Sequence, residues 1–153
     1  MEYARLDEGK VVEMREPSNV LVTGGAGFIG SHLVDRLMTM GYFVRVVDNL
    51  STGKLENIKP WFDNPRFDFI RGDLKNKNIA QRSLKEVEVV FHLASNVEVR
   101  MGQVDPSIHF RENLIMTFDL LEAMRQSERA RVIVFFSSST VYGEPTEFPT
   151  SEE

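Results

Sequence analysis

The chain has 153 residues, 42% hydrophobic and 27% charged, with a formal net charge of −5, enough for one domain with its own core. An acidic balance without a basic stripe sets aside nucleic acid and anionic membrane surfaces as partners. No run of about 18 apolar residues marks a transmembrane helix, no signal peptide is visible, and the absence of cysteine excludes disulfides, thiolate nucleophiles and cysteine-based zinc sites.

Residues 1–18 are mixed and highly charged, with one short apolar pair, Val11-Val12. They read as an N-terminal extension, either an arm or a strand or helix added to the core; composition does not choose. The domain proper is expected over residues 19–153. Val20-Leu21-Val22-Thr23 reads as a strand, and it runs directly into Gly24-Gly25-Ala26-Gly27-Phe28-Ile29-Gly30. A helix is predicted over residues 29–40, with Ile29, Leu33 and Leu37 on its inward face and Gly41 just past its end. Gly24, Gly27 and Gly30 fit a dinucleotide-binding pattern. Gly24 would permit the turn off the strand, Gly27 the approach of a pyrophosphate, and Gly30 close packing of helix on sheet. The helix N-terminus would then offer free N–H groups to phosphate oxygens.

A glycine pattern alone is weak, so its context matters. A second strand over residues 43–47 ends at Asp48, 18 positions after Gly30. A carboxylate there can accept hydrogen bonds from the adenosine ribose hydroxyls and repels a 2′-phosphate, which favours NAD over NADP. The competing reading is a nucleotide-free βαβ unit. Residues 49–66 read as a loop with a short helix, Phe67-Asp68-Phe69-Ile70 as a third strand ending at Gly72-Asp73, and residues 76–85 as a helix. Residues 87–93 read as a fourth strand, nearly all apolar as in a buried parallel sheet. After a loop, Asp105 and Pro106 suit the N-cap and first position of a long helix, with Leu114, Phe118 and Leu121 expected inward. A fifth strand over residues 131–136 leads into Ser137-Ser138-Ser139-Thr140. The alternation implies an α/β, doubly wound parallel sheet of Rossmann type with strand order 3-2-1-4-5, binding its ligand at the carboxyl ends of the strands.

Asp73 is a candidate acceptor for an adenine amino group, with capping of the next helix as the plainer alternative. His92 sits within an apolar strand and reads as a satisfied core histidine. His32 and His109 read as helix-surface groups. No spacing of histidines or carboxylates suggests a metal site. Cytoplasmic placement is the default expectation for such a domain.

The runs Thr23 to Gly30, Asp48-Asn49-Leu50, Gly72-Asp73-Leu74, Phe91-His92-Leu93-Ala94, Asn113, and Ser137 to Gly143 together resemble the extended short-chain dehydrogenase/reductase family, in its branch of NAD-dependent nucleotide-sugar epimerases and dehydratases. Within that branch the chain looks most like the 4-epimerases of UDP-glucose and UDP-galactose. The resemblance covers about residues 19–153. It implies NAD as cofactor and a nucleotide sugar, most simply a UDP-sugar, as substrate. It places Phe28 and Ile29 over the pyrophosphate, Asp48 on the ribose with Asn49 and Thr52 nearby, Asp73 and Leu74 beside adenine, and Leu93, Ala94 and Ser95 along the cofactor path. Asn113 would anchor the neighbouring loop. Ser138 would hydrogen-bond the sugar 4-hydroxyl; taken alone, it reads as a strand-end serine capping local backbone. Where dehydratases of the family carry an acidic pair, this chain has Ser139 and Thr140, which cannot act as acid or base near neutral pH.

The family's Tyr-x-x-x-Lys pair does not occur: four positions after Tyr3, Tyr42 and Tyr142 stand Asp7, Val46 and Thr146. The resemblance therefore predicts an incomplete cofactor-binding domain, without the substrate domain and without substantial activity by itself. Family dimers use the long helix, so a homo-oligomer is expected, with Ile108, Ile115 and Met124 exposed. A dehydratase, a decarboxylase or a non-catalytic NAD-binding module are the readings left open.

Overall fold

The computed structural model describes residues 4–5, 11–12, 19–144 and 147–151. Within the N-terminal extension, Ala4–Arg5 pairs antiparallel with Val11–Val12; the other residues of that extension lie outside the described residues.

Five parallel strands form the central sheet: β1 (Asn19–Thr23), β2 (Phe43–Asp48), β3 (Phe67–Arg71), β4 (Val89–His92) and β5 (Val132–Phe135), in the order β3-β2-β1-β4-β5. The predicted strand order is the observed one. In β1, Val20 lies beside Val44 and Val89, and Thr23 beside Val47 and His92. Successive residues of a strand point to opposite faces, and in the three central strands, β2, β1 and β4, both faces are covered. Leu21, Val47 and Val90 share one core with Leu84, Met116 and Leu120. Val20, Val22, Val44 and Val46 share the other with Val34, Leu37 and Ile58. Strands buried on both sides are necessarily near-continuous apolar runs, which is why the sequence shows them so plainly.

Helix α1 (Phe28–Thr39) buries Gly30, Ser31, Val34, Leu37 and Met38. Of the predicted inward line only Leu37 is buried; Leu33 is half-buried and Ile29 is 61% exposed. The inward face is set by Gly30, which abuts the glycine loop, and the residues four and seven positions on follow it inward. Gly41 ends the helix region at φ +91°, a conformation glycine adopts without strain. Two single 3₁₀ turns, Leu55–Asn57 and Lys59–Trp61, occupy the loop after β2, and α2 (Lys77–Ser83) follows β3.

After β4 a short helix that the sequence did not announce, α3 (Val99–Val104), precedes α4 (Pro106–His109). Asp105 caps α4 through the Ser107 amide at 3.0 Å, as expected. The long helix is not uniform: Phe110–Ile115 is π-helical, and α5 (Met116–Arg125) continues from it. Its inward residues are Met116, Leu120, Ala123 and Met124. Leu114, Phe118 and Leu121, expected inward, are exposed together with Phe110. Of the residues expected to be exposed, Met124 is buried and Ile108 and Ile115 are half-buried. The helix carries two apolar stripes, so a period of 3.6 residues fits either face, and the wider π turn resets the phase between them.

Leu120→Ala should therefore lower the unfolding free energy by about 2–5 kcal/mol, while Phe118→Ala should change it by less than about 0.5 kcal/mol. Chemical denaturation of both variants checks the assignment of faces.

Candidate functional site

The crevice at the carboxyl ends of the strands begins with the glycine loop. Gly24 takes φ +67°, and its amide donates to the Val47 carbonyl at 2.9 Å. A Cβ on Gly24 would lie 2.9 Å from the Ala94 nitrogen, so the β4 loop passes directly over it. At Gly30 a Cβ would lie 2.8 Å from Gly25 Cα. The close packing expected there is thus against the loop itself. Gly27 caps α1 without any side-chain hydrogen bond, and a Cβ on it would meet only the Gly24 carbonyl, at 3.2 Å. The first amides of α1 have no intrahelical acceptor and carry the positive end of the helix dipole. Phe28 and Ile29 are both exposed beside them. An uncapped, open helix start of this kind fits a pyrophosphate.

Asp48 closes the other side. Only 8% exposed, its Oδ2 accepts from the Ala26 amide at 3.0 Å and its Oδ1 from the Leu50 amide at 2.8 Å. The Ala26 carbonyl in turn accepts from the Lys54 amide at 3.0 Å and from Asn57 Nδ2 at 2.8 Å. A Cβ on Gly53 would fall 2.9 Å from Asp48 Oδ2. The sequence reading missed this clamp: Gly53, Lys54 and Asn57 sit in a stretch that reads as turn, and nothing in their spacing points to Ala26. Asn49 and Thr52 lie exposed on the same loop. Each carboxylate oxygen holds one amide and has a further lone pair able to accept from another donor.

Asp73 does not cap α2. That cap is Asn76, which accepts from the Asn78 amide at 3.0 Å, because the helix begins three residues later than an Asp73 cap would require. Asp73 instead accepts from the Lys75 amide at 2.9 Å and from Asn49 Nδ2 at 3.2 Å. The Leu74 side chain is buried in the core. Lys75 Nζ reaches Glu112 Oε1 at 3.0 Å, and Glu112 Oε2 accepts from Asn96 Nδ2 at 2.8 Å. This bridge between the β3 and β4 loops was also invisible in the sequence. Glu112 is held below the usual carboxylate range by the Asn96 amide and then by Lys75; Lys75 is raised chiefly by its hydrogen bond to Glu112.

The β4 loop is fixed from two directions. Thr23 Oγ1 accepts from the amides of Leu93 and Ala94 at 3.1 and 3.0 Å. Asn113 Oδ1 accepts from the Asn96 amide at 2.7 Å, so Asn113 does anchor this loop, and Ser95 is left exposed between the two holds. His92 is buried, with Nδ1 2.7 Å from Thr23 Oγ1 and Nε2 3.0 Å from Thr117 Oγ1. It is the satisfied core histidine anticipated. His32 is exposed and bonds the Phe28 carbonyl. His109, expected at the surface, is half-buried, its ring lying where a Cβ on Gly102 would be.

Ser138 stands exposed after β5 and precedes a 3₁₀ turn, Ser139–Tyr142. Its Oγ accepts from the Thr140 amide at 3.3 Å and from the Thr140 hydroxyl at 2.9 Å. Among the described residues no histidine, lysine or carboxylate bonds to it. Nor does any group of three or more His, Asp or Glu among them suit a metal ion, and no helix is long and apolar enough to cross a membrane.

A doubly wound sheet with a glycine-rich loop, an uncapped helix start and an acid at the tip of β2 defines a dinucleotide-binding domain. The profile of the NAD dependent epimerase/dehydratase family matches residues 20–153, and the chain belongs to that family. It is 40% identical over 134 residues to a putative UDP-glucose 4-epimerase of Methanocaldococcus jannaschii, covering 87% of this chain and 42% of that protein. It is also 40% identical over 138 residues to UDP-glucuronic acid decarboxylase 4 of Arabidopsis thaliana, covering 90% of this chain and 30% of that one. The crystal structure of UDP-glucose 4-epimerase from Brucella ovis in complex with NAD superposes with a TM-score of 0.75 at 35% identity, over 86% of this chain and 39% of that chain. The chain thus spans less than half the length of these relatives.

Two outcomes follow. Asp48→Asn turns one acceptor into a donor facing a backbone N–H, and should lower the unfolding free energy by about 1–3 kcal/mol, measured by denaturant titration. For His92, burial pushes the imidazole down from 6.5 to about 4. Between those values the unfolded chain binds a proton that the folded chain does not, so this contribution is complete above about pH 6.5 and is lost as pH falls toward 4, on the order of 3 kcal/mol. Denaturation of wild type and His92→Leu across that range should show the steeper fall in wild type; equal falls would assign the loss to carboxylates.

Proposed function

We propose that this chain supplies the NAD-binding half of a UDP-sugar 4-epimerase. The observation that carries the reading is the pairing of an uncapped α1 N-terminus with the buried Asp48 carboxylate across one clamped glycine loop. In this reading the amides of residues 28–30 bind the pyrophosphate, with Phe28 and Ile29 above it. Asp48 accepts from the adenosine ribose hydroxyls, with Asn49 and Thr52 alongside, and discriminates against a 2′-phosphate. Asp73 and the backbone at Leu74 border the adenine. Leu93, Ala94 and Ser95 line the cofactor path, and Asn113 steadies their loop. When bound, NAD supplies a hydride acceptor for transient oxidation at sugar C4.

Ser138 donates to or accepts from the sugar 4-hydroxyl, orienting it. A serine hydroxyl unassisted by a base does not remove that proton at a useful rate, and the sequence given holds no Tyr-x-x-x-Lys. Binding without appreciable turnover is therefore the property of these residues alone. A decarboxylase acting on a UDP-uronic acid is the second reading, favoured by the equal identity to the Arabidopsis decarboxylase; it uses the same cofactor half. Self-association through the exposed stripe Phe110, Leu114, Phe118 and Leu121 completes the proposal.

Calorimetric titration of the chain with NAD, and with NADP for comparison, tests the reading. Saturable binding of NAD and at least about tenfold weaker binding of NADP are expected, since a phosphate beside Asp48 loses its contacts and meets like charge. Equal binding of the two, or none of either, overturns it.

A further inference from the structure

His92 takes no part in the chemistry just described, yet it is 2% exposed and lies beneath the β4 loop. The donors and acceptors around it admit one arrangement. Thr117 Oγ1 lies 2.6 Å from the Asn113 carbonyl, and a carbonyl oxygen only accepts, so the single Thr117 hydroxyl proton points there. Toward His92 the Thr117 oxygen can then only accept, at 3.0 Å, so Nε2 carries the ring proton. With Nδ1 bare, the Thr23 hydroxyl donates to it at 2.7 Å. Both lone pairs of Thr23 Oγ1 are left for the Leu93 and Ala94 amides. Every donor and acceptor in the chain Asn113–Thr117–His92–Thr23–Leu93/Ala94 is matched.

The other forms fail the same count. A proton on Nδ1, in the second neutral tautomer or in the cation, would displace the Leu93 amide wholly onto the Thr23 carbonyl, which it already reaches at 3.2 Å, and would leave the Thr23 hydroxyl proton without its Nδ1 acceptor. In the neutral case the bare Nε2 would also face the Thr117 oxygen. Burial disfavours the cation independently.

We infer that His92 is a positioning residue of the cofactor crevice. As the neutral, Nε2-protonated imidazole it aims the Thr23 hydroxyl into the core, so that the Thr23 oxygen holds the Leu93 and Ala94 amides where they wall the crevice. Gly24 lies directly under this wall, with no room for a Cβ against Ala94. A shift of the loop by a few tenths of an ångström therefore reaches the glycine turn as well. The consequence for affinity rests on the proposed NAD-binding function; the tautomer and the loop hold do not.

The test uses the 153-residue chain at neutral pH. Nitrogen-15 shifts of the His92 ring are expected to show a neutral ring protonated on Nε2. His92→Leu removes both contacts, whereas His92→Asn retains an amide oxygen near the Nδ1 position as acceptor for Thr23. The Ala94 amide, whose acceptor is the Thr23 hydroxyl oxygen, should exchange with solvent faster in His92→Leu than in His92→Asn, while the Leu93 amide keeps its bond to the Thr23 carbonyl. NAD should bind His92→Leu about tenfold more weakly than wild type, the size of one lost buried hydrogen bond, with most of the affinity recovered in His92→Asn. Nδ1 protonation, a cationic ring, or the same Ala94 amide exchange in the two variants overturns the inference. Because the ring shifts are read on the unsubstituted chain, instability of a variant leaves the test intact. Failure of wild type to bind NAD would overturn the proposed function, while the ring and the amides still decide the role of His92.

Discussion

At Gly30 the first turn of α1 lies so close to Gly24 and Gly25 that no side chain fits between helix and loop. This approach fixes where α1 starts, which of its faces turns inward, and where its unpaired amides point. Once Gly30 is seated, Val34, Leu37 and Met38 are carried onto the sheet by helical periodicity alone. The loop cannot drift outward to relieve the crowding, because Asp48 draws on the Ala26 amide while Lys54 and Asn57 bond its carbonyl. A single residue, Ala26, is thus held at both its N–H and its C=O, and the crevice inherits its shape from that hold.

Asp48 consequently has two duties. It organises the loop by accepting one buried and one partly buried amide, and in the proposed reading it keeps lone pairs for a ribose at the tip of β2. A residue with both tasks gives ambiguous results when substituted, since losing the clamp and losing the ribose contact both reduce affinity. Gly53 separates them: a Cβ there would press on the carboxylate from the loop side, and the glycine takes no part in the proposed ribose contact.

The sequence made the sheet legible because strands buried on both faces must be apolar throughout, and the glycine spacing exposed the crevice because backbone contact tolerates no Cβ there. The long helix was harder. Leu114, Phe118 and Leu121 make as good a stripe as Met116, Leu120 and Met124, and only the packing on β1 and β4 selects between them. Asp73 illustrates a second obscurity, in which an acid three residues ahead of Asn76 looks like the cap that Asn76 supplies. The long-range polar contacts were hidden for a third reason. Lys75, Glu112 and Asn96 are far apart in sequence and meet only because the π-helical segment that carries Glu112 reaches both the loop after β3 and the loop after β4, strands that are not neighbours in the sheet.

The two ends of the crevice are unequally built. From the glycine loop to Asn113, each wall is held by hydrogen bonds to a neighbouring element: β2 to the loop, Thr23 to the β4 turn, Asn113 to Asn96. Beyond β5 the support changes character. Val134, Phe135 and Phe136 are exposed, and among the described residues Ser138 is braced only locally, by Thr140 on its hydroxyl and by the Val141 amide on its carbonyl. A short-range brace of this kind sets a hydroxyl rotamer but does not fix the backbone relative to the rest of the crevice. In the proposed reading, dinucleotide binding draws on the rigid end, whereas alignment of a sugar hydroxyl depends on the loosely held one. On that reading the hydrogen-bonded preorganisation lies at the cofactor end, and a hydroxyl at Ser138 has a local brace but no hold on the neighbouring elements.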